Sequence, residues 1–153
     1  MQKNVENANF NKTVGPCIGK TYKMMSIFIC DHFLKNDIQV TKEQWIVLKI
    51  LHEQNKSICQ NELAFITNRN KTTLTRLINV MEKNQLVERS TSKKDARKKL
   101  ILITAKGEEL FLKMKPIMFQ IMNIFQEGIS NQEMETFIKI TNQIQKNIKN
   151  QSL

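Results

Sequence analysis

Hydrophobic and polar positions repeat at three- and four-residue steps over most of this chain, which predicts a mainly helical fold. The first such repeat predicts a helix over residues 16–35 and comprises Ile18, Tyr22, Met25, Ile29, His32 and Phe33. Thr41 and Gln44 have the spacing of a capping box, so we expect a second helix to begin at Thr41 and end near residues 52–55. The same form recurs at residues 57–60 and predicts a short third helix that ends near Thr67.

A fourth helix is predicted over residues 71–83, followed at once by a basic hairpin. Its apolar face comprises Leu74, Leu77, Ile78 and Met81, and its polar face Thr72, Thr75, Arg76, Asn79 and Lys83. Asn84 is expected to end the helix, because Asn tolerates the left-handed conformation required there. Residues 86–89 and 98–103 have the composition of two strands, and the segment between them is polar and basic.

Two further helices are predicted in the last third of the chain. Thr104 is expected to cap a long helix that ends at Gly128 and is kinked by Pro116, where a backbone hydrogen bond is lost. A capping box of Ser130 and Glu133 then opens the final helix. Its expected inward positions are Met134, Phe137, Ile138, Ile144 and Ile148.

The element order is four helices, two strands and two helices, which defines a mainly α fold with a small β-hairpin wing. We assign a winged helix-turn-helix core to about residues 41–104. Residues 1–13 are expected to be a flexible arm, and residues 14–153 a single domain. Because the helices at about 16–35 and 104–150 carry long apolar stripes outside that core, we expect them to be dimerisation helices of a homodimer.

Charge is concentrated on the fourth helix and the hairpin. The chain of 153 residues has a formal net charge of +10. Residues 68–99 contain ten basic and three acidic residues, so they supply most of that charge. A basic surface on two successive elements is typical of a nucleic-acid footprint.

Other features narrow the class of protein. The polar N-terminus lacks the apolar core of a signal peptide, and the longest apolar stretch, residues 24–30, is far shorter than the roughly 20 residues of a membrane span. We therefore expect a cytoplasmic protein without a membrane partner. Three cysteines without CxxC spacing argue against a disulfide framework or a zinc site.

The ordered set of residues along the chain resembles the MarR family of bacterial transcription regulators. The matching positions are Thr41, Gln44, Leu48, Leu51, residues 62–64, Thr72, residues 75–78, 82–83, 86–89 and 95–97, Leu102, Thr104 and residues 106–107. Asn84 departs from the pattern, since the family usually has Gly there. The resemblance implies an obligate homodimer that represses from a palindromic operator and is released by a small molecule or an oxidant.

Candidate DNA-binding residues lie on the fourth helix and the hairpin. Short polar side chains and one Arg can bond base edges or phosphates in the major groove, and basic hairpin residues can neutralise phosphates or enter the minor groove. They are Lys71, Thr72, Thr73, Thr75, Arg76, Asn79, Ser92, Lys93, Lys94, Arg97 and Lys98. By resemblance, Asp95 would orient Arg97. The alternatives are an ordinary solvated helix face and an ordinary charged turn.

Sensing is less constrained by the sequence. By resemblance, a small aromatic or apolar effector would occupy a crevice lined by Tyr22, Met25, Trp45 and Phe111, although these residues also suit a plain core. Cys17 resembles the early cysteine of redox-sensing relatives, or it packs at a helix start. Cys30 and Cys59 are expected to pack, and His52 has no evident partner. Because adjacent residues point in different directions around a helix, Cys30, Asp31 and His32 do not form a metal site.

Two other classes of function compete with a ligand-responsive repressor. A winged-helix protein could bind nucleic acid structurally, with no specific operator and no effector. An enzyme is the third class, but nucleotide-binding, nucleophile-elbow and metalloprotease motifs are missing from the sequence, and neither a cofactor nor a metal is indicated.

Overall fold

The computed structural model describes residues 13–54, 57–92 and 98–151. Within these ranges the chain forms six helices and three strands. They are α1 (Val14–Lys35), α2 (Lys42–Glu53), β1 (Ser57–Cys59), α3 (Gln60–Ile66), α4 (Lys71–Lys83), β2 (Val87–Thr91), β3 (Lys99–Ile103), α5 (Ala105–Gln126) and α6 (Asn131–Gln151). The predicted fold class, mainly α with a β-hairpin wing, is confirmed. By contact density the chain divides into two units, Met1–Met118 and Phe119–Leu153.

Capping residues fix several helix starts as predicted. In α2 the backbone N–H of Gln44 donates to the Thr41 hydroxyl and the Thr41 N–H donates to the Gln44 side chain. In α6 the same reciprocal bonds join Ser130 and Glu133. The Ser130 hydroxyl also donates to the Glu133 carboxylate, and this bond, followed by the bond from the Ser130 backbone N–H, lowers the pKa of Glu133. Each box satisfies backbone donors that the first helical turn leaves free.

The prediction that residues 57–60 form a capping box was wrong. Ser57–Cys59 is a strand that pairs antiparallel with β3, with Ser57 opposite Leu102 and Cys59 opposite Leu100. Cys59 takes the N-cap position of α3 without a side-chain cap bond. The strand is favoured over a helical start because it buries Ile58, which is 4% exposed, in the core. It also gives the backbone groups of residues 57–59 hydrogen-bond partners on β3. The sheet order is β1-β3-β2.

The core of the first unit lies between α2, α3, α4, the sheet and the start of α5. Its fully buried side chains include Leu48, Leu51, Leu63, Leu74, Ile78, Met81 and Ile101. Ala64 is 7% exposed, and Leu63 is inaccessible, as their inward prediction required. One face of each of α2, α3 and α4 therefore packs against a single apolar cluster. This packing fixes the three helices relative to one another.

The turn from α4 to β2 differs from the prediction in its backbone. Helix α4 ends at Lys83 as predicted, but Asn84 has a φ of −83° and the left-handed residue is Gln85, with a φ of 61°. The turn is held from α5: the Thr104 hydroxyl donates to the Gln85 carbonyl over 2.7 Å, and the Lys106 ammonium donates to the Asn84 carbonyl over 3.0 Å.

The first turn of α5 packs against the same turn at very short range. The Thr104 N–H donates to the Leu86 carbonyl over 3.2 Å, and the Thr104 hydroxyl caps α5 by accepting from the Gly107 N–H. A Cβ atom added to Gly107 would lie 2.1 Å from the Leu86 carbonyl oxygen. Only glycine permits this approach, which fixes where α5 begins relative to α4.

The second unit contains α6, which has no buried residue among those described. The predicted inward positions are not covered within one chain: Phe137 is 58% exposed and Ile148 is 60% exposed. Ile138 is also exposed. The apolar spacing of α6 was predicted correctly, but its burial inside the chain was not.

Candidate nucleic-acid interface

Helix α4 presents two opposite faces. Leu74, Ile78 and Met81 have no exposed surface, and Leu77 packs against the same core. On the other face the predicted residues Lys71, Thr72, Thr73, Arg76 and Asn79 are exposed. Because residues at three- and four-residue steps share one side of a helix, Thr72, Arg76 and Asn79 form a continuous polar surface. Apart from Thr75, which is half-buried, the structure has the division between polar and apolar faces that the sequence predicts.

The N-terminus of α4 is arranged to receive an anion. The Asn70 side chain caps the helix by accepting from the Thr73 N–H over 2.8 Å. Lys71, Thr72 and Thr73 are exposed in this first turn, which contains no acidic residue. A helix N-terminus carries a partial positive charge, and Lys71 adds a full one, so this end suits a phosphate.

Thr75 is engaged inside the protein rather than presented outward. Its hydroxyl donates to the Lys71 carbonyl over 2.7 Å and accepts from the Gln60 amide over 3.0 Å. The hydroxyl therefore joins α3 to α4, and its only proton is already used. These bonds give the Thr75 hydroxyl a role in positioning α4, and its contact with DNA stays a prediction.

Asn79 is joined to the wing through Arg89 on β2. The Asn79 side-chain oxygen accepts from the Arg89 guanidinium over 2.7 Å. That guanidinium forms an ion pair with Glu82, whose second carboxylate oxygen accepts from the Arg89 backbone N–H over 3.3 Å. The set fixes β2 against α4. Sequence reasoning missed it, although Glu82 and Arg89 lie seven positions apart across a predicted helix–strand turn.

The wing consists of β2 and β3, paired with Val87 opposite Ile103 and Thr91 opposite Lys99. The ladder continues at its outer end, where the Ser92 N–H donates to the Lys98 carbonyl over 3.0 Å. Lys98 is exposed and Ser92 half-buried. The predicted contacts Lys93, Lys94 and Arg97, and the orienting residue Asp95, lie outside the described residues.

The predicted effector residues fall into two groups. Trp45 and Phe111 stack with their ring centroids 6.4 Å apart. Met25 and Tyr22 lie on α1, where the Tyr22 hydroxyl accepts from the Lys42 ammonium over 2.9 Å. That bond and the positive charge of Lys42 lower the pKa of Tyr22. A cavity of about 470 Å³ lies elsewhere, at the α1–α2 turn, the α4–β2 turn and the first turn of α5.

No partner of His52 is evident from the sequence, but the structure provides one in Glu108. Its Nδ1 lies 2.8 Å from a carboxylate oxygen of Glu108, and its ring lies 4.5 Å from that of Phe111. The two partners are 56 residues apart, so no local pattern indicates the pair. Next to it, the indole N–H of Trp45 is buried without a hydrogen-bond partner in the described part of the chain.

The cysteines differ from one another in exposure. Cys17 and Cys30 are exposed, and Cys59 is partly buried. The expectation that Cys30 packs was therefore wrong, because the α1 stripe does not turn that side chain inward. Among the described residues, no group of three His, Cys, Asp or Glu side chains could hold a metal ion. None of the described helices is long and apolar enough to cross a bilayer.

The arrangement of three helices, the last with an exposed polar face, and an antiparallel hairpin behind it defines a winged helix-turn-helix. Residues 40–99 match the MarR family model. Over this segment the chain is similar to the MarR family. The match runs from α2 through β2 and ends at the first residue of β3, so it includes the polar face of α4.

Solved structures share the fold over nearly the whole chain. One is Bordetella bronchiseptica BpsR, whose DNA binding is regulated by 6-hydroxynicotinic acid: it is 21% identical, with a TM-score of 0.79 over 89% of this chain and 95% of that one. Staphylococcus aureus MepR, solved with DNA, is 21% identical, with a TM-score of 0.79 over 88% and 98%. A mutant of Escherichia coli MarR complexed with operator DNA is 17% identical, with a TM-score of 0.78 over 89% and 97%.

Proposed function

We propose that this protein is a cytoplasmic homodimeric repressor that binds a palindromic operator through α4 and the wing and is released by a small molecule or an oxidant. The observation that carries the proposal is the exposed polar face of α4, fixed beside a basic hairpin by a fully buried opposite face. Two proteins of the same fold were solved in complex with DNA, which supports a DNA-binding role.

The charges divide into two kinds of contact. Lys71 at the positive end of α4 and Lys98 on the wing suit phosphates, which give affinity and orientation without base preference. Thr72, Arg76 and Asn79 lie along the helix face that would enter the major groove, where base edges carry a unique donor and acceptor pattern. By resemblance, Arg97 at the wing would enter the flanking minor groove, with Asp95 orienting it and Lys93 and Lys94 on phosphates.

The dimer is proposed from uncovered apolar surface. Helix α6 exposes Phe137, Ile138 and Ile148, and α1 exposes Ile18 and Tyr22. Exposed apolar surface on a helix is commonly an interface in soluble proteins. A two-fold dimer presents two copies of α4, which suits half-sites about one helical turn apart on DNA.

Phosphate contacts are tested by salt dependence. Replacing Lys71 or Lys98 with Ala is expected to lower the slope of log affinity against log salt by about one unit each, because each contact releases about 0.9 counterion. The measurement is a fluorescence-anisotropy titration of duplex DNA at several salt concentrations. Lys49→Ala is the matched control, since its ammonium is paired with Glu53 on α2. An unchanged slope in both variants would remove these residues from the interface.

The effector is proposed to lie near Trp45 and Phe111. The buried indole N–H of Trp45 has no partner among the described residues, and an unsatisfied buried donor costs about 1–3 kcal/mol. A small aromatic ligand with an acceptor atom would stack on these rings and satisfy that donor. Tyr22 and Met25 would contribute from α1.

An oxidant signal would act at Cys17. Its thiol is exposed and lies in the first turn of α1, where a dissolved oxidant can reach it. Peroxide treatment is then expected to weaken operator binding at least several-fold, and Cys17→Ser is expected to abolish this response. Binding is measured by mobility shift before and after treatment. Cys30→Ser is the control, since Cys30 is also exposed. Full binding by the oxidised native protein would limit the signal to small molecules.

The alternative function, a structural nucleic-acid-binding protein, predicts similar affinity for all DNA sequences. Specific regulators bind their sites about 10³- to 10⁷-fold tighter than random DNA. Sequencing the genomic fragments that the purified protein retains under a large excess of random DNA separates the two. Recovery of a recurrent palindrome supports the repressor, and even recovery across the genome supports the structural alternative.

A further inference from the structure

We propose that Arg89 is a positioning residue that fixes the polarity of the Asn79 amide, so that Asn79 selects a hydrogen-bond acceptor, guanine foremost, and disfavours adenine. The inference rests on the proposed function, because it specifies the base chemistry of the same α4 surface. It follows from the contact between the Arg89 guanidinium and the Asn79 side-chain oxygen over 2.7 Å.

Arginine determines which way the amide points. A guanidinium carries five N–H donors and no acceptor, so the atom of Asn79 that faces it must be the oxygen. The amide nitrogen then points away from Arg89. Neither of its hydrogens has a partner among the residues that the structure describes, and Asn79 is exposed. The recognition face therefore presents two donors at this position.

Arg89 is itself prevented from moving. Its other guanidinium nitrogen is paired with Glu82, and the second oxygen of that carboxylate accepts from the Arg89 backbone N–H over 3.3 Å. The Arg89 side chain is only 20% exposed. Charge-assisted hydrogen bonds of this kind are about twice as strong as neutral ones, so rotation of the Asn79 amide would lose a strong bond.

The fixed polarity changes which bases suit Asn79. A free Asn bonds adenine with both ends, accepting from N6 and donating to N7. Here the Arg89 guanidinium occupies one lone pair of the Asn79 oxygen. An adenine amino group bound to the other lone pair would lie beside that positive charge, which disfavours adenine. Guanine offers two neighbouring acceptors, N7 and O6, to the two outward hydrogens. Asn79 thus favours guanine in the base pair that it contacts.

The experiment selects duplexes from a randomised DNA library with the full-length protein and its variants, followed by sequencing. Asn79→Ala identifies the relevant base pair as the one whose preference disappears. At that pair the native protein is expected to favour guanine over adenine by about tenfold. Arg89→Met cannot donate, so the amide is free to turn and adenine is expected to rise at least to parity. Arg89→Lys keeps a cationic donor and is expected to retain the guanine preference.

If Arg89 only stabilised the fold, its replacement would lower the affinity for every DNA sequence alike. A change in base preference therefore distinguishes a positioning role of Arg89 from a purely structural one. Glu88→Gln on the same strand is the matched control and should leave the preference unchanged. Asn79→Asp tests the same idea without altering Arg89, because a carboxylate only accepts, and cytosine should replace guanine through its amino group. This variant keeps the inference testable if Arg89→Met does not fold.

The outcomes separate the inference from the function. If the native protein enriches no sequence, the proposed function and the inference both fail. If it enriches a sequence in which Asn79→Ala changes nothing, or in which Arg89→Met and Asn79→Asp keep the native base, the inference alone fails. An adenine preference of the native protein at the Asn79 pair would overturn it equally.

Discussion

Charge placed on the apolar stripe of α6 is expected to convert the protein to monomers and to weaken operator binding by about 10²- to 10⁴-fold. The variant is Phe137→Asp combined with Ile144→Asp. Phe137 is 58% exposed in the single chain, and both positions belong to one stripe. Burying two carboxylates in an apolar interface without partners costs several kcal/mol, which exceeds what the lost apolar contact alone would cost.

The loss of DNA affinity follows from the loss of the second half-site. In a dimer, binding of one α4 places the other at an effective concentration in the millimolar range beside its own half-site. A monomer has no such advantage. Light scattering after size exclusion gives the oligomeric state, and a mobility-shift titration gives the affinity.

Asn142→Asp is the control for added charge on α6, because it lies about 140° away from Phe137 around the helix. It is exposed and is expected to leave both the dimer and the affinity unchanged. A double variant that remains dimeric and binds normally would show that the α6 stripe serves another purpose.

Replacing Gly107 with Ala is expected to destabilise the protein by about 3 kcal/mol, a large loss for a single methyl group. The added Cβ would lie 2.1 Å from the Leu86 carbonyl oxygen and 3.0 Å from the Ile103 side chain. The oxygen is backbone in a turn that Thr104 and Lys106 also hold, so neither side can withdraw without breaking other bonds. The free energy of unfolding in urea measures the effect.

Gly19→Ala on α1 provides the opposite control. A Cβ there meets nothing within 4 Å. Because glycine is a poor helix residue, this change is expected to stabilise the protein by about 0.5–1 kcal/mol. If Gly107→Ala were as stable as the native protein, the close approach of α5 to the α4–β2 turn would not exist in solution.

Local signals explain what could be predicted from the sequence. Helix α4 spans Lys71–Lys83, as predicted, because an amphipathic repeat and its flanking cap residues all lie within a few positions. The capping boxes of α2 and α6 were found for the same reason. The charged and polar face of α4 follows directly from that repeat, so most of its candidate residues are exposed where they were placed.

Contacts between distant residues explain what could not be predicted. Ser57–Cys59 becomes a strand only because β3, more than 40 positions later, supplies its partners. His52 finds Glu108, and Asn79 finds Arg89, through packing that no spacing in the sequence describes. Thr75 appeared free on the helix face, but Gln60 on α3 lies within reach of its hydroxyl. The apolar stripe of α6 is exposed in the single chain. Whether a second chain covers this stripe cannot be predicted from its spacing.

The hydrogen bonds that join the first turn of α5 to the α4–β2 turn constrain which positions of this sequence can change during evolution. The three bonds from Thr104 and Lys106 end on the backbone carbonyls of Asn84, Gln85 and Leu86. Every amino acid supplies such a carbonyl, so the turn is free to change its side chains at Asn84. Selection acts instead on the first turn of α5. Thr104 supplies a hydroxyl, Lys106 an ammonium group, and Gly107 the absence of a Cβ atom. Drift should accumulate in the turn, while the first turn of α5 stays fixed.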